Sequence, residues 1–234
     1  MASFSLVHGA WGVGMQWDLV RAELEARGHV VHTPDLPCED LDAGVAEYAA
    51  AVPACDVVVG HSLGGMTIPY VASRTHVFLC ALVPGAFTSW ADVFVPGFGA
   101  GRLRDEHGRS YYPDPAVAAA EMQYPAELAH LAAHLRRQAP HETNPRPVEQ
   151  PVYIVCSDDA VIRPDWQRHA AVDVLGVEPI ELAAGHMPML ECPLELATIL
   201  DAIAGGDRPQ AALPVLSASR KPRSASAHAD GTRC

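Results

Sequence analysis

Short apolar runs alternate with amphipathic stretches up to Val83. Phe4-Ser5-Leu6-Val7 reads as a buried strand running into the glycine-rich His8-Gly9-Ala10-Trp11-Gly12. Trp17 to Arg27 has helical spacing, and Gly28 stops it. His29 to Thr33 forms a second strand, closed by Pro34-Asp35-Leu36-Pro37. A helix over 41–51 follows, with Asp40 or Asp42 as its cap. Val57-Val58-Val59 is a third strand, followed by helical character from Met66 to Ala72. His76 to Val83 is continuously apolar, the pattern of a strand covered on both faces. Strands alternating with helices predict βαβ units, a parallel sheet and an α/β fold.

From Pro84 to about Gln150 the alternation breaks down. Two loop-like stretches carry Phe87, Trp90, Phe94 and Phe98. Asp114-Pro115 starts one helix. Tyr124-Pro125 starts another, with Leu128, Leu131, Ala132 and Leu135 as an apolar stripe. The segment 84–150 thus reads as a largely helical cap over the carboxyl ends of the strands, where open α/β sheets bind ligands. Strands return at 151–156 and 179–182, and a closing helix spans about 193–204. One domain over 1–204 is expected, then an Ala-, Ser-, Pro- and Arg-rich tail over 205–234 that reads as disordered.

Composition narrows the function classes. The chain has 234 residues, 49% of them hydrophobic, and a net charge of -12. With no basic face in the body of the chain, nucleic acid is not an expected partner. No apolar run reaches the roughly 18 residues of a membrane-spanning helix, and the N-terminus does not read as a signal peptide. A cytoplasmic protein acting on a small molecule is expected, as a monomer or a homodimer. The six cysteines are scattered, with no Cys-x-x-Cys pair, and read as buried small hydrophobes. His130 and His134 stand four apart, but no third ligand accompanies them, so no metal or organic cofactor is expected.

The chemistry centres on Gly60-His61-Ser62-Leu63-Gly64-Gly65. Gly-x-Ser-x-Gly alone arises by chance in roughly one chain of this composition in fifteen. Here an apolar strand precedes it and a helical stretch follows, the setting of a nucleophile elbow. Ser62 would stand exposed on the turn. The Leu63 N–H would open the helix without an intrahelical partner, suited to a developing oxyanion. A serine hydroxyl needs a base, and the base needs an acid to hold its tautomer. Asp159 follows the strand at 151–156 and His186 the one at 179–182, so both fall at the same sheet edge as Ser62. Asp158 competes with Asp159 for the acid role. His61 is expected to point away from Ser62, and His8 to support its own loop.

Taken together, His8-Gly9-Ala10-Trp11, Gly60-His61-Ser62-Leu63-Gly64-Gly65, Asp159-x-Val161-x-x-Pro164 and Gly185-His186-Met187-Pro188 resemble the α/β-hydrolase superfamily. The likeness is to its small esterase branch, with the plant methyl esterases, the hydroxynitrile lyases and bacterial homologues, and it covers about residues 4–204. It implies an α/β-hydrolase fold with a mostly parallel sheet flanked by helices and a cap inserted after the strand at 76–83. It also implies Asp159 as the acid and the N–H groups of Ala10 and Leu63 as the oxyanion hole. The lyases carry a lysine after the histidine and a threonine in the oxyanion loop. Met187 and Gly9 or Ala10 stand there instead, which implies hydrolysis of a carboxylic ester rather than cyanohydrin cleavage. Gly9, Trp11, Phe87, Trp90, Phe94, Phe98 and Met187 are candidate pocket residues for an apolar or aromatic substrate. Gly12-Val13-Gly14-Met15, where relatives place a large ring, is expected to widen the acyl pocket. The alternatives are acyl transfer, thioester hydrolysis or natural-product tailoring on the same residues, or a hydrolase scaffold that binds a ligand without turnover.

Overall fold

A computed structural model describes residues 1–86 and 89–206. The first half contains β1 (Ser3–Val7), α1 (Asp18–Ala26), β2 (Val30–His32), α2 (Val45–Ala50), β3 (Cys55–His61) and β4 (Ser73–Leu79). Next come α3 (Trp90–Val93), β5 (Leu103–Arg104), β6 (Ser110–Tyr111) and α4 (Pro115–Glu121). The described residues close with β7 (Pro151–Cys156), α5 (Pro164–His169), β8 (Ile180–Leu182), α6 (Pro188–Glu191) and α7 (Pro193–Ala204). Six strands form one sheet in the order β2-β1-β3-β4-β7-β8, and every neighbouring pair is parallel.

Side chains alternate across a strand, and the central strands bury both faces. Val57, Val59, Val77, Leu79 and Ile154 join one core cluster, into which α1 sends Val20 and Leu24 and α7 sends Leu196 and Leu200. Val58, Phe78, Tyr153 and Val155 point the other way and pack with Tyr48 of α2 and Trp166 of α5. β4 covers Ser73–Leu79 rather than 76–83: the start of the apolar run lies in it, with helices on both sheet faces, and Cys80 to Val83 continue past its end. Beyond β4 the chain bends at Cys80, whose φ is 35°. The Tyr153 hydroxyl holds that bend, accepting from the Ala81 N–H at 3.1 Å and donating to the Ala81 carbonyl at 2.7 Å.

Several elements differ from the sequence expectation. α2 starts later, with Gly44 as its N-cap and the Glu47 carboxylate accepting the Gly44 N–H. Asp40 instead closes a local turn with the Asp42 N–H, a common alternative use of an aspartate side chain. The stretch after Ser62 is 3₁₀ rather than α, as Ser62–Met66 and Ile68–Tyr70. Two glycines and Pro69 weaken an α-helix there. Ala126–His134 is also 3₁₀. An apolar stripe at i and i+3 satisfies either helix, so the pattern does not separate them. The 84–150 segment contains α3, α4 and that 3₁₀ helix, together with the unanticipated antiparallel β5–β6 pair. Among the described residues no helix is long and apolar enough to cross a membrane. Phe87 and the tail from 207 lie outside the described residues.

Candidate active site

The parallel sheet brings the loops after β1, β3, β7 and β8 to one edge. At the end of β3, Ser62 adopts a φ of 51°, a backbone region that costs a non-glycine residue energy and persists only where its surroundings enforce it. Close packing does so here. A Cβ on Gly64 would stand 2.8 Å from the His8 carbonyl oxygen, so the turn lies directly against the loop after β1. The Ser62 carbonyl accepts the Leu82 N–H at 2.9 Å, which closes the chain after β4 onto the same turn. Leu63 lies in the first turn of the 3₁₀ helix Ser62–Met66, whose first N–H groups lack intrahelical acceptors.

The loop after β1 meets Ser62 from the other side. A Cβ on Gly9 would come 2.8 Å from that of Ser62, so only glycine fits. His8 organises this loop. Its Nδ1–H donates to the Gly9 carbonyl at 2.8 Å, and its Nε2 accepts the Leu36 N–H at 3.0 Å. Arg136 clamps the same loop from the far side of the chain. It donates to the Gly12 carbonyl at 3.1 and 3.2 Å, to the Leu36 carbonyl at 2.9 Å and to His8 Nε2 at 3.3 Å. The Trp11 Nε1–H donates to the Ser110 hydroxyl and carbonyl, so the hairpin of β5 and β6 holds the indole ring. Gly12 to Met15 do not line the cavity described below. The Gly14 N–H donates to Asp35, and Met15 faces solvent at 39% exposure, so this stretch does not widen the pocket.

Burial, with the Arg136 charge adding to it, lowers the His8 pKa to about 4. Neutral His8 suits its bonds, because a proton on Nε2 would face two donors. In the unfolded chain the group titrates near its ordinary value of 6.5. As pH falls from 6.5 the unfolded state therefore binds the proton first. This contribution to stability is complete above pH 6.5 and is lost progressively down to pH 4, by about 3 kcal/mol. Burial also holds His61 well below the ordinary histidine range and acts in the same direction. Urea unfolding between pH 7.5 and 4.5 should show falling stability, with a shallower slope for His8→Asn. Parallel slopes would refute the assignment.

Asp159, the candidate acid, sits in the loop after β7. Asp159 is buried, while Asp158 is exposed. Asp159 Oδ1 accepts the N–H groups of Val161 and Ile162 at 2.7 and 3.0 Å. Oδ2 accepts Gln167 Nε2 at 2.9 Å and His186 Nδ1 at 2.9 Å. A carboxylate has no proton to give, so Nδ1 carries the hydrogen and Nε2 is left as the basic atom. The backbone of His186 is also held. His61 Nε2 donates to its carbonyl at 2.8 Å, and Gln123 Oε1 accepts its N–H at 3.0 Å. The same Gln123 amide accepts the Ala160 N–H at 2.7 Å and donates to the Asp158 carbonyl at 3.0 Å. One side chain from beyond α4 thereby registers the acid loop against the histidine loop.

Ser62 and His186 line one cavity of about 710 Å³. Of the residues anticipated for the pocket, Gly9, Trp11, Trp90, Phe94, Phe98 and Met187 line it, as do Ala10 and Leu63. Phe87 lies outside the described residues. Gln16, Met122, Gln138 and His141 also face this space, with no local pattern in the sequence to mark them. His61 lines it too, but its Nε2 is turned to the His186 backbone. Among the described residues, the candidate ligand atoms of His61, Cys80 and His186 fall within 4.8 Å of one another. Cys80 Sγ, like His61, points to the His186 carbonyl at 3.7 Å. These groups serve the position of the histidine rather than an open coordination site.

Such an arrangement can activate a hydroxyl and stabilise a negative charge beside it. Residues 6–199 match the model of the alpha/beta hydrolase family. Salicylic acid-binding protein 2 of Nicotiana tabacum is 30% identical over 86% of this chain and 96% of its own length. Methylesterase 3 of Arabidopsis thaliana is 26% identical over 85% of this chain and 94% of its own. The solved structure of a pyrethroid hydrolase from Sphingobium faniae JZ-2 superposes with a TM-score of 0.70 at 25% identity, covering 87% and 97% of the two chains.

Proposed function

This chain belongs to the alpha/beta hydrolase family, and from that premise we propose that it is a serine hydrolase cleaving a carboxylic ester. Ser62 attacks the ester carbonyl while His186 Nε2 takes its proton. The developing oxyanion lies against the N–H groups of Ala10 and Leu63, where losing one such donor typically reduces the rate by about 10²–10³. His186 then returns the proton to the departing alcohol, which leaves an acyl group on Ser62. A water molecule, deprotonated by the same histidine, releases the acid. Asp159 holds the Nδ1–H tautomer throughout and stabilises the imidazolium. No step requires a metal or an organic cofactor.

The observation that carries this reading is the buried 2.9 Å contact from His186 Nδ1 to Asp159 Oδ2, opening on the cavity that Ser62 lines. The names of the relatives support the reaction class, since they include plant methylesterases and a pyrethroid hydrolase. The ring-lined wall of Trp11, Trp90, Phe94 and Phe98 favours an ester of a small to medium molecule with an apolar or aromatic body.

Covalent labelling tests the reading. The protein should turn over p-nitrophenyl butyrate. An alkyl fluorophosphonate should add one adduct per chain, on the peptide bearing Ser62, and abolish turnover. Labelling at another residue, or turnover that survives stoichiometric labelling, would overturn it.

A further inference from the structure

The cavity wall is not wholly apolar. Arg102 and Arg104 both line it, although the protein as a whole carries a net charge of -12. Arg102 is half-buried, and its guanidinium lies over the Trp11 ring, 5.5 Å from the ring centroid. Among the described residues no carboxylate comes within 4.0 Å of it. The neighbouring carboxylate, Glu121, already accepts the N–H groups of Gly99 and Gly101 and the Tyr112 hydroxyl. Glu142 is the one acid that lines the cavity among the described residues, and it is exposed. Arg104 is exposed, and its guanidinium donates to the Gly108 carbonyl at 2.8 Å.

An arginine cannot shed its charge, so a half-buried guanidinium without a counter-ion is poorly solvated. The Trp11 face offsets part of that loss. It also aims the cation, because the indole N–H is anchored on Ser110 and Trp11 directly follows Ala10. A neutral ester would leave the guanidinium donors idle. A carboxylate on the substrate would match their planar fork with two parallel hydrogen bonds.

We propose that Arg102, seated on Trp11 with Arg104 alongside, is an anion subsite of this pocket, and that the preferred ester carries a carboxylate, as a half-ester of a dicarboxylic acid does. The catalytic form of the proposal rests on the ester-hydrolase reading; the subsite itself is a binding claim.

Two arms separate the claims. In the kinetic arm, p-nitrophenyl hemiadipate is compared with its neutral isostere, p-nitrophenyl 6-methylheptanoate. The ratio of kcat/KM, charged over neutral, should exceed ten in the wild type and fall as sodium chloride rises from 0.05 to 0.5 M. It should drop at least tenfold in Arg102→Met and by less in Arg102→Lys, which keeps the charge and loses the fork. A ratio near one, or a ratio that Arg102→Met leaves unchanged, overturns the proposal. In the binding arm, monomethyl adipate is titrated calorimetrically into Ser62→Ala and into Ser62→Ala/Arg102→Met. Binding to the first that weakens at least tenfold in the second supports the subsite even if neither ester is cleaved, an outcome that would refute the hydrolase reading alone. Absence of binding to Ser62→Ala, or equal binding to both, refutes the subsite.

Discussion

Replacing Asp159 by asparagine should lower kcat by about 10⁴-fold with the fold retained, the scale of loss when a catalytic histidine is held in the wrong tautomer. Asparagine keeps an oxygen that can still accept the Val161 and Ile162 N–H groups, so the loop after β7 stays closed. Its amide nitrogen then replaces the oxygen that faces Gln167 Nε2 and His186 Nδ1. Gln167 cannot turn over to relieve the clash. Its Oε1 accepts the Cys156 N–H at 3.0 Å, and its Nε2 also donates to the Ile162 carbonyl at 2.8 Å. The new amide donates to His186 Nδ1, the imidazole proton moves to Nε2, and the base that Ser62 needs is gone. Asp158 is the internal comparison. Its exposed side chain faces water, while its backbone carries the bonds to Ala184 and Gln123. Asp158→Asn should therefore change kcat less than twofold. Steady-state rates on p-nitrophenyl butyrate, with circular dichroism on each variant, check both. A large loss in Asp158→Asn with a small one in Asp159→Asn would reverse the assignment.

Gly65→Ala should destabilise the protein by about 3 kcal/mol or more, at or above the upper end of ordinary overpacking. The added Cβ would stand 2.2 Å from the Leu82 carbonyl oxygen and 2.8 Å from the Ala81 Cβ. A side chain could rotate away from such a contact, but backbone cannot. The backbone at 81–82 is itself tied, by the Tyr153 hydroxyl at Ala81 and by the Leu82 N–H bond to the Ser62 carbonyl. Relief therefore has to move the turn that carries Ser62. For a chain of this size the melting temperature should fall by roughly 6–12 °C, and activity should fall with it. Gly44→Ala is the control, since its Cβ would meet only the end of the Glu47 side chain, at 3.4 Å. Because Gly44 is the N-cap of α2, the variant should lose no more than about 4 °C, the cost of alanine at a cap, well short of Gly65→Ala. Equal melting temperatures for Gly65→Ala and wild type would show that the Ser62 turn is free to shift.

The parts of the site that were legible in the sequence are those written in local pattern. Apolar runs and their spacing located all six strands of the parallel sheet, because each must bury its faces against the next layer. The closing helix expected at about 193–204 is Pro193–Ala204. Gly-x-Ser-x-Gly after an apolar strand pointed to Ser62, and strands before Asp159 and His186 placed them at the same edge. Helix type was not legible, since apolar positions at i and i+3 serve 3₁₀ and α alike. Nor was the β5–β6 pair, whose two-residue strands are too short for any periodicity to register.

The clamps were beyond reach for a different reason. Arg136 reaches Gly12 from 124 residues away, and Gln123 reaches His186 from 63. Nothing around either residue marks it, because an arginine or glutamine in an irregular stretch reads as a solvated side chain. Local pattern along the chain is enough for the sheet, the turn that carries Ser62 and the order Ser62, Asp159, His186 at one sheet edge, since exposure periodicity and turn chemistry act between near neighbours. Packing of the folded chain settles that Asp159 rather than Asp158 meets the histidine, that Arg136 and Gln123 hold the loops in register, and that Arg102 stands on the cavity wall. Those outcomes depend on which distant backbone groups the packed chain brings within hydrogen-bond reach.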